Sequence, residues 1–331
     1  MRERPFQRPR VVISECLEFA KCRYNGEMIG DPLVRRMKGS GAVEFLPVCM
    51  EVEIGLGVPR DPVRIVLSPE GQKRLVQPAT GRDLTEPAEE FTSRFLSSVG
   101  EIDGFILKSR SPSCGVHDAK LYPSAQGAAA LKRQSGLFGG AVAERFPNHV
   151  AEDEKRLGHI KLAEHFLTRI FLSADWHAVE RHGEMRELVS FQSDHKLLLM
   201  LYSQKEMGEL GRIVANREQE SLEAIKAEYR QRLQAAMSKP PRCNSAANVL
   251  QHALGYFSDR LRPEEKRFFL EQLDMYLGAR IPLSVCLNLM RSWIIRFSEP
   301  YLGRQTFFEP FPPDLLEVGI TDSCDWRDLS G

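Results

Sequence analysis

Three short apolar runs, each stopping just ahead of a cysteine, constrain this chain more than any other feature. Val11-Val12-Ile13-Ser14 leads to Cys16, and Val43-Glu44-Phe45-Leu46-Pro47-Val48 leads to Cys49. Gly104-Phe105-Ile106-Leu107 leads through Lys108-Ser109-Arg110-Ser111-Pro112-Ser113 to Cys114. Runs of this length and apolarity, bounded by turn residues, read as buried strands. In an open α/β sheet, ligands bind in the crevice outside the carboxyl ends of the strands. Three parallel neighbours of this kind would bring three thiols to one mouth. Three thiolates without a fourth protein ligand describe an iron–sulfur or zinc site with an open coordination position. Pure thiolate ligation suits either metal.

The first half alternates strand-like and helix-like segments. Strands are expected at 11–14, 43–48, 63–67 and 104–108, and helices near 31–38, 85–99, 124–146 and 158–172. This alternation predicts an α/β domain with a mostly parallel sheet. From about residue 185 the texture changes. Leu197, Leu198, Leu201, Met207, Leu210 and Ile213 recur at helical spacing within 191–216. Further helices are expected over 218–237, 245–259, 263–278 and 281–298, so the second half reads as all-α. The expected domains are 1–180 and 181–331. The tail from Phe307 onward, with its Pro, Gly and Ser, reads as extended.

Lys+Arg and Asp+Glu both number 45, so net charge gives no global sign of nucleic-acid affinity. No apolar run approaches the roughly 20 residues needed to cross a bilayer. The charged start, Met1 to Arg10, lacks the apolar core of a secretory signal, and a cytoplasmic location is the expectation. The cysteines number seven. An odd count in a chain of this size argues against a disulfide framework and for metal-binding or catalytic thiols.

Several residues near the three cysteines carry usable chemistry. Cys22 is a candidate fourth ligand, reactive thiol or sulfur carrier. Glu51 and Glu53 follow Cys49 closely enough to hold or deprotonate a water. Lys108, Ser109, Arg110, Ser111 and Ser113 form a loop whose hydroxyls and N–H groups suit an anion or substrate. The same Ser and Pro also favour plain turns. In the helical half, 205–242 holds eight Lys/Arg against six Glu, a density usual for a solvated helix face.

These motifs together resemble the thiouracil desulfidase (TudS) family. The resemblance lies in Ser14-Glu15-Cys16-Leu17, in Arg23-Tyr24-Asn25-Gly26, in the stretch Pro47-Val48-Cys49-Met50-Glu51 through Val58-Pro59-Arg60, and in Ser109 through Gly115. It spans roughly residues 10–175. The segment from Lys196 to Val214 resembles the helical domain often fused behind it. That arrangement resembles the RudS-type desulfidases, which act on 4-thiouridine in tRNA. The resemblance implies a [4Fe–4S] cluster on Cys16, Cys49 and Cys114. It implies Glu51 as the catalytic acid/base and Ser111 as a catalytic serine. Cys22, Ser113, Lys108 and Arg110 stand as substrate candidates. Met50 replaces a common Pro, Asn25 a common Asp, and Gly158-His159-Ile160 stands where a polar Asn-Asp pattern is expected after Arg156-Leu157. The competing readings are a desulfidase of free thiolated nucleobases, and a non-enzymatic RNA-binding protein with structural zinc.

Overall fold

The computed structural model describes residues 5–127, 129–216 and 219–316. The chain forms two units, one of Arg8–Ala174 and one that runs from Asp175.

The first unit runs β1 (Arg10–Ser14), α1 (Pro32–Ser40), β2 (Glu44–Val48), α2 (Met50–Glu53), β3 (Arg64–Leu67), β4 (Lys73–Gln77) and β5 (Arg82–Asp83). It continues through α3 (Thr85–Ser98), β6 (Gly104–Leu107), β7 (Ala119–Tyr122), β8 (Lys132–Gln134), α4 (Leu137–Arg145), β9 (Val150–Asp153), α5 (Glu154–Leu157) and α6 (Ile160–His182), which crosses the division. The apolar runs that precede the cysteines form a parallel sheet of order β2-β1-β6-β9. Ser14 pairs with Val48, Ile13 with Ile106, and Leu107 with Asp153. The strands therefore end level with one another, and their carboxyl ends share one edge.

Local signals set the helix limits. Asp31 caps α1 by accepting from the Val34 N–H at 2.9 Å, with Pro32 in the first turn. Gly41, at φ 66°, closes the helix in a left-handed conformation that costs glycine little.

A second sheet, of order β5-β4-β3-β7-β8, lies in the same unit. The run at 63–67 is a strand as expected, but it belongs to this sheet, antiparallel to β4 and parallel to β7. The expected helix over 124–146 is a helix only from Leu137, and strand β8 lies ahead of it. The two sheets share one core, in which Val12, Phe105 and Leu107 meet Ile65, Leu75, Leu121, Phe91 and Phe138. Burial of each such side chain stabilises by about 1.5–3 kcal/mol, and this core anchors the loops that leave the strand ends.

Within its described residues the second unit is helical: α7 (Met185–Asp194), α8 (Lys196–Tyr202), α9 (Gln204–Ala215), α10 (Leu222–Ala236), α11 (Cys243–Leu254), α12 (Pro263–Leu277) and α13 (Leu283–Phe297). The segment expected as one helix over 191–216 is broken twice. Ser203 starts α9 by accepting from the Glu206 N–H. Trp176 stacks on Tyr229 with centroids 4.9 Å apart, and Tyr229 donates to Gln192 at 2.6 Å. The tail is packed where an extended course was expected. Residues 306–308 and 313–315 form tight turns, with Phe307, Phe308 and Leu315 buried. Gln305 ties this segment to the Ser193 carbonyl and the Leu197 amide. Residues 317–331 lie outside the described chain.

Candidate active site

Cys16, Cys49 and Cys114 all sit at the carboxyl edge of the parallel sheet, beyond β1, β2 and β6. Cys49 follows β2 directly and heads the short helix α2, whose Val52 N–H donates to the Cys49 carbonyl at 3.1 Å. The Glu15 N–H extends the ladder to the Val48 carbonyl at 2.9 Å, which holds the Cys16 loop beside Cys49. Cys114 closes a tight turn. The Ser111 hydroxyl accepts from the amides of Ser113 and Cys114, at 3.2 Å and 3.0 Å. The start of α4 fastens this turn: the amides of Gly136, Leu137 and Phe138 donate to the carbonyls of Gly115, Pro112 and Ser113. A methyl at Gly139 would strike the Gly115 carbonyl, so only glycine permits this approach.

The structure adds Cys22 to the three strand-end thiols. Cys22 shares hydrogen bonds with the Cys16 and Cys49 thiols, and the Cys49 sulfur lies 3.9 Å from the Cys22 carbonyl. The Cys16 hydrogen bond, with burial, pushes the Cys22 thiol up to about 12. Cys49 is raised well above the usual thiol range, by the Cys22 hydrogen bond first and burial second. Burial pushes Cys114 up to about 12, against opposing hydrogen bonds from Ser14 and Ser111. A thiol must lose its proton to bind metal. Among the described residues, no three His, Cys, Asp or Glu side chains stand in ready ligand geometry. The donor set itself is a gathering of soft thiols, three buried and Cys49 half-buried, which fits thiolate-ligated iron or zinc.

Glu51 occupies the first turn of α2 and is oriented from two sides. Ser113 donates to Oε1 at 2.7 Å. Arg60 donates to Oε2 through Nε at 2.8 Å and lies 2.7 Å away through its second terminal nitrogen. Both side chains of this pair are largely buried, at 6% exposure for Arg60 and 13% for Glu51. Arg60 also donates to the carbonyls of Cys22 (3.0 Å) and Gly57 (3.2 Å), and its amide donates to the Tyr24 carbonyl at 2.7 Å. One guanidinium thus joins the loops that carry the first and second cysteines.

The other sequence candidates are placed differently. Ser111 bonds turn amides and the Cys114 sulfur, while Ser113 is the hydroxyl that meets Glu51. Lys108 lies 2.5 Å from Glu154, which also accepts from the Ser109 hydroxyl and amide. The Arg110 side chain is exposed, and its amide donates to Asp118 at 2.6 Å from a left-handed backbone of φ 58°. Glu53 and His117 are exposed. Two of the departures from the family pattern, at Asn25 and Met50, have local partners. Asn25 donates to Glu27 at 2.6 Å, where a second carboxylate would repel, and Met50 is buried with its sulfur 3.6 Å from the Thr92 hydroxyl.

Arg60, Ser14 and Glu154 stand outside the candidates drawn from the sequence. Arg60 and Ser14 carry a signal there, as the last residue of the Cys49 motif and the first of the Cys16 motif. Cys286 is a buried free thiol in α13, whereas Cys243 is disulfide-bonded.

A largely buried thiol cluster beside an oriented carboxylate, at the carboxyl edge of a parallel sheet, is the layout of an α/β enzyme site. The chain belongs to the 2-thiouracil desulfurase family, which it matches over residues 11–154, and over residues 196–312 it matches a family of unknown function, DUF1722. It is 30% identical over 148 residues to the uncharacterized protein YbgA of Escherichia coli (strain K12), across 44% of this chain and 88% of that one. It is 31% identical over 112 residues to the uncharacterized protein YbbK of Bacillus subtilis (strain 168), across 32% and 72%. Among solved structures it is similar to a [4Fe-4S]-dependent thiouracil desulfidase, TudS. The identity is 25% and the TM-score 0.36, across 47% of this chain and 97% of that one. No helix of the described residues is long and apolar enough to cross a membrane.

Proposed function

We propose that this chain is a non-redox, [4Fe–4S]-dependent desulfidase that converts 4-thiouridine in tRNA to uridine in the cytoplasm. The observation that carries the reading is the meeting of Cys16, Cys49 and Cys114 with Glu51 at one sheet edge. Those three cysteines would hold the cluster, leaving Cys22 as a neighbouring thiol. When bound, the cluster supplies a soft, electron-withdrawing site for the thiocarbonyl sulfur.

The remaining chemistry falls to this chain's side chains. Arg60 and Ser113 fix the Glu51 carboxylate, so that it orients a water and takes one of its protons. The water oxygen bonds to the thiocarbonyl carbon and the carbon–sulfur bond breaks. The sulfur leaves as sulfide with the second proton, and the base becomes a carbonyl. No electrons are exchanged. A positioned general base contributes about 10²–10⁴-fold.

The catalytic domain is assigned to 1–180 and a tRNA-binding helical domain to 181–331. Lys196, Lys205 and Arg242 are exposed cations there, whereas Arg212 pairs with Glu209 and Arg230 with Glu180. Action on tRNA requires the base to leave the stack before it reaches a buried site. The test is anaerobic incubation of cluster-loaded chain with bulk tRNA, followed by nucleoside analysis. Loss of 4-thiouridine with matching gain of uridine is expected. Unchanged 4-thiouridine, alongside turnover of free thiouracil, would favour the free-base reading that the family's description supports.

A further inference from the structure

The second sheet has an outer face that the catalytic account leaves unused. Its inner face gives Ile65, Leu75, Ala119 and Leu121 to the core. Strand alternation then turns Arg64, Arg74, Lys120, Tyr122 and Arg133 to the opposite side. The register places Lys120 directly opposite Arg133, and pairs Ile65 with Leu121, so that Arg64 lies beside Lys120. Three cations thus stand in one row across β3, β7 and β8. Like charges directly opposed across strands cost stability, and this row is kept nonetheless.

The acids nearby do not neutralise it. Asp83 is committed to Arg74 at 2.7 Å, and Glu70 also acts on Arg74. Among the described residues, Arg64, Lys120 and Arg133 form no ion pair with a carboxylate. Arg64 instead lies over the Tyr122 ring, 4.7 Å from its centroid. Edge strands often carry Lys or Arg to block unwanted pairing, which accounts for Arg133 on β8. It does not account for Arg64 and Lys120, whose strands β3 and β7 are interior to the sheet. Lys120 and Arg133 are exposed.

The row also continues directly from the loops of the candidate site. Strand β3 follows the loop ending in Arg60, and β7 follows the loop carrying Cys114. Arg64 comes four residues after Arg60, and Lys120 six residues after Cys114. Chain geometry caps those distances at about 14 Å and about 22 Å. From these facts we infer that this face binds the phosphodiester backbone of the RNA strand flanking the reacting nucleotide. The cations would take phosphates, and Tyr122 with Arg64 would offer a stacking platform. The inference rests on the proposed reading that the reacting base is part of an RNA.

The experiment titrates full-length, cluster-loaded chain with an unmodified tRNA transcript across a salt series. Wild type is compared with K120A/R133A, and with R94A/R145A, which removes two exposed cations from α3 and α4. For two lost phosphate contacts, the slope of log affinity against log salt should become shallower by about 1.4–1.8, while the control follows wild type. If wild type binds the transcript and K120A/R133A shows the same affinity and slope, the surface is overturned and the substrate reading stands. Equal weakening in the control overturns it as well, because charge at any position then suffices. A slope lost only in K120A/R133A, in a wild type that leaves 4-thiouridine in tRNA intact, upholds the surface and sinks the substrate reading.

Discussion

Removing the Arg60 side chain tests how the site is held. In Arg60→Ala, Glu51 loses both guanidinium contacts to Oε2 while remaining largely buried. Exposed ion pairs contribute only about 0–1 kcal/mol. Breaking a buried pair costs about 3–5 kcal/mol, because the remaining charge is left uncompensated. The same change frees the carbonyls of Cys22 and Gly57, so the upper part of that range applies. For a folding unit of this size, about 4–5 kcal/mol corresponds to about 8–20 °C in unfolding midpoint. Catalysis should fall further than stability explains, because Glu51 is no longer aimed. Below the new midpoint, kcat on 4-thiouracil should drop by about tenfold or more with KM little changed. Arg60→Lys keeps the charge but not the fork of donors, and should recover part of the stability and little of kcat. Differential scanning calorimetry and steady-state kinetics on anaerobically prepared protein measure both. An Arg60→Ala protein with wild-type midpoint and wild-type kcat would refute the reasoning.

Three other outcomes follow from the geometry. Cys49→Ala should lose bound iron and sulfide, while Cys286→Ala, in α13, should keep both; metal analysis of the two proteins checks this. Glu51→Gln preserves size and should retain iron while turnover falls by about 10²–10⁴-fold, so near-normal turnover would move the base elsewhere. His165 is held near 3 by burial first and by Arg169 second. Its neutral form favours the fold above the unfolded value of about 6.5, and that stability is lost as pH falls from there toward 3. A His165→Gln protein should therefore show a flatter loss of unfolding free energy between about pH 6.5 and about pH 4, measured by urea denaturation.

Much of the parallel sheet is readable from the chain because its strands are apolar runs long enough to show. Pattern alone sets Cys16, Cys49 and Cys114 at strand ends; spacing to Cys49 offers Glu51 and Glu53, and the family resemblance chooses Glu51. The second sheet is not readable in this way. Arg82–Asp83 and Lys132–Gln134 are short and polar, and become strands only through their neighbours. The expected helix start near Ser124 fails for the same reason. Residues 124–127 and 129–136 owe their course to β7 and β8, although the Ala and Leu among them favour a helix locally. Ser113 and Ser111 are two residues apart in one turn, and only the turn's geometry decides which hydroxyl meets Glu51. The breaks at His195 and Ser203 lack Gly or Pro, so the helical period runs through them unmarked.

The central claim is that this thiol-rich edge removes sulfur from a thiocarbonyl. Its most direct measurement follows 4-thiouracil and released sulfide together, anaerobically, with cluster-loaded wild-type chain. One sulfide and one uracil should appear for each thiobase consumed, with no added reductant or oxidant. A colourless chain that binds only zinc and leaves 4-thiouracil intact would contradict it.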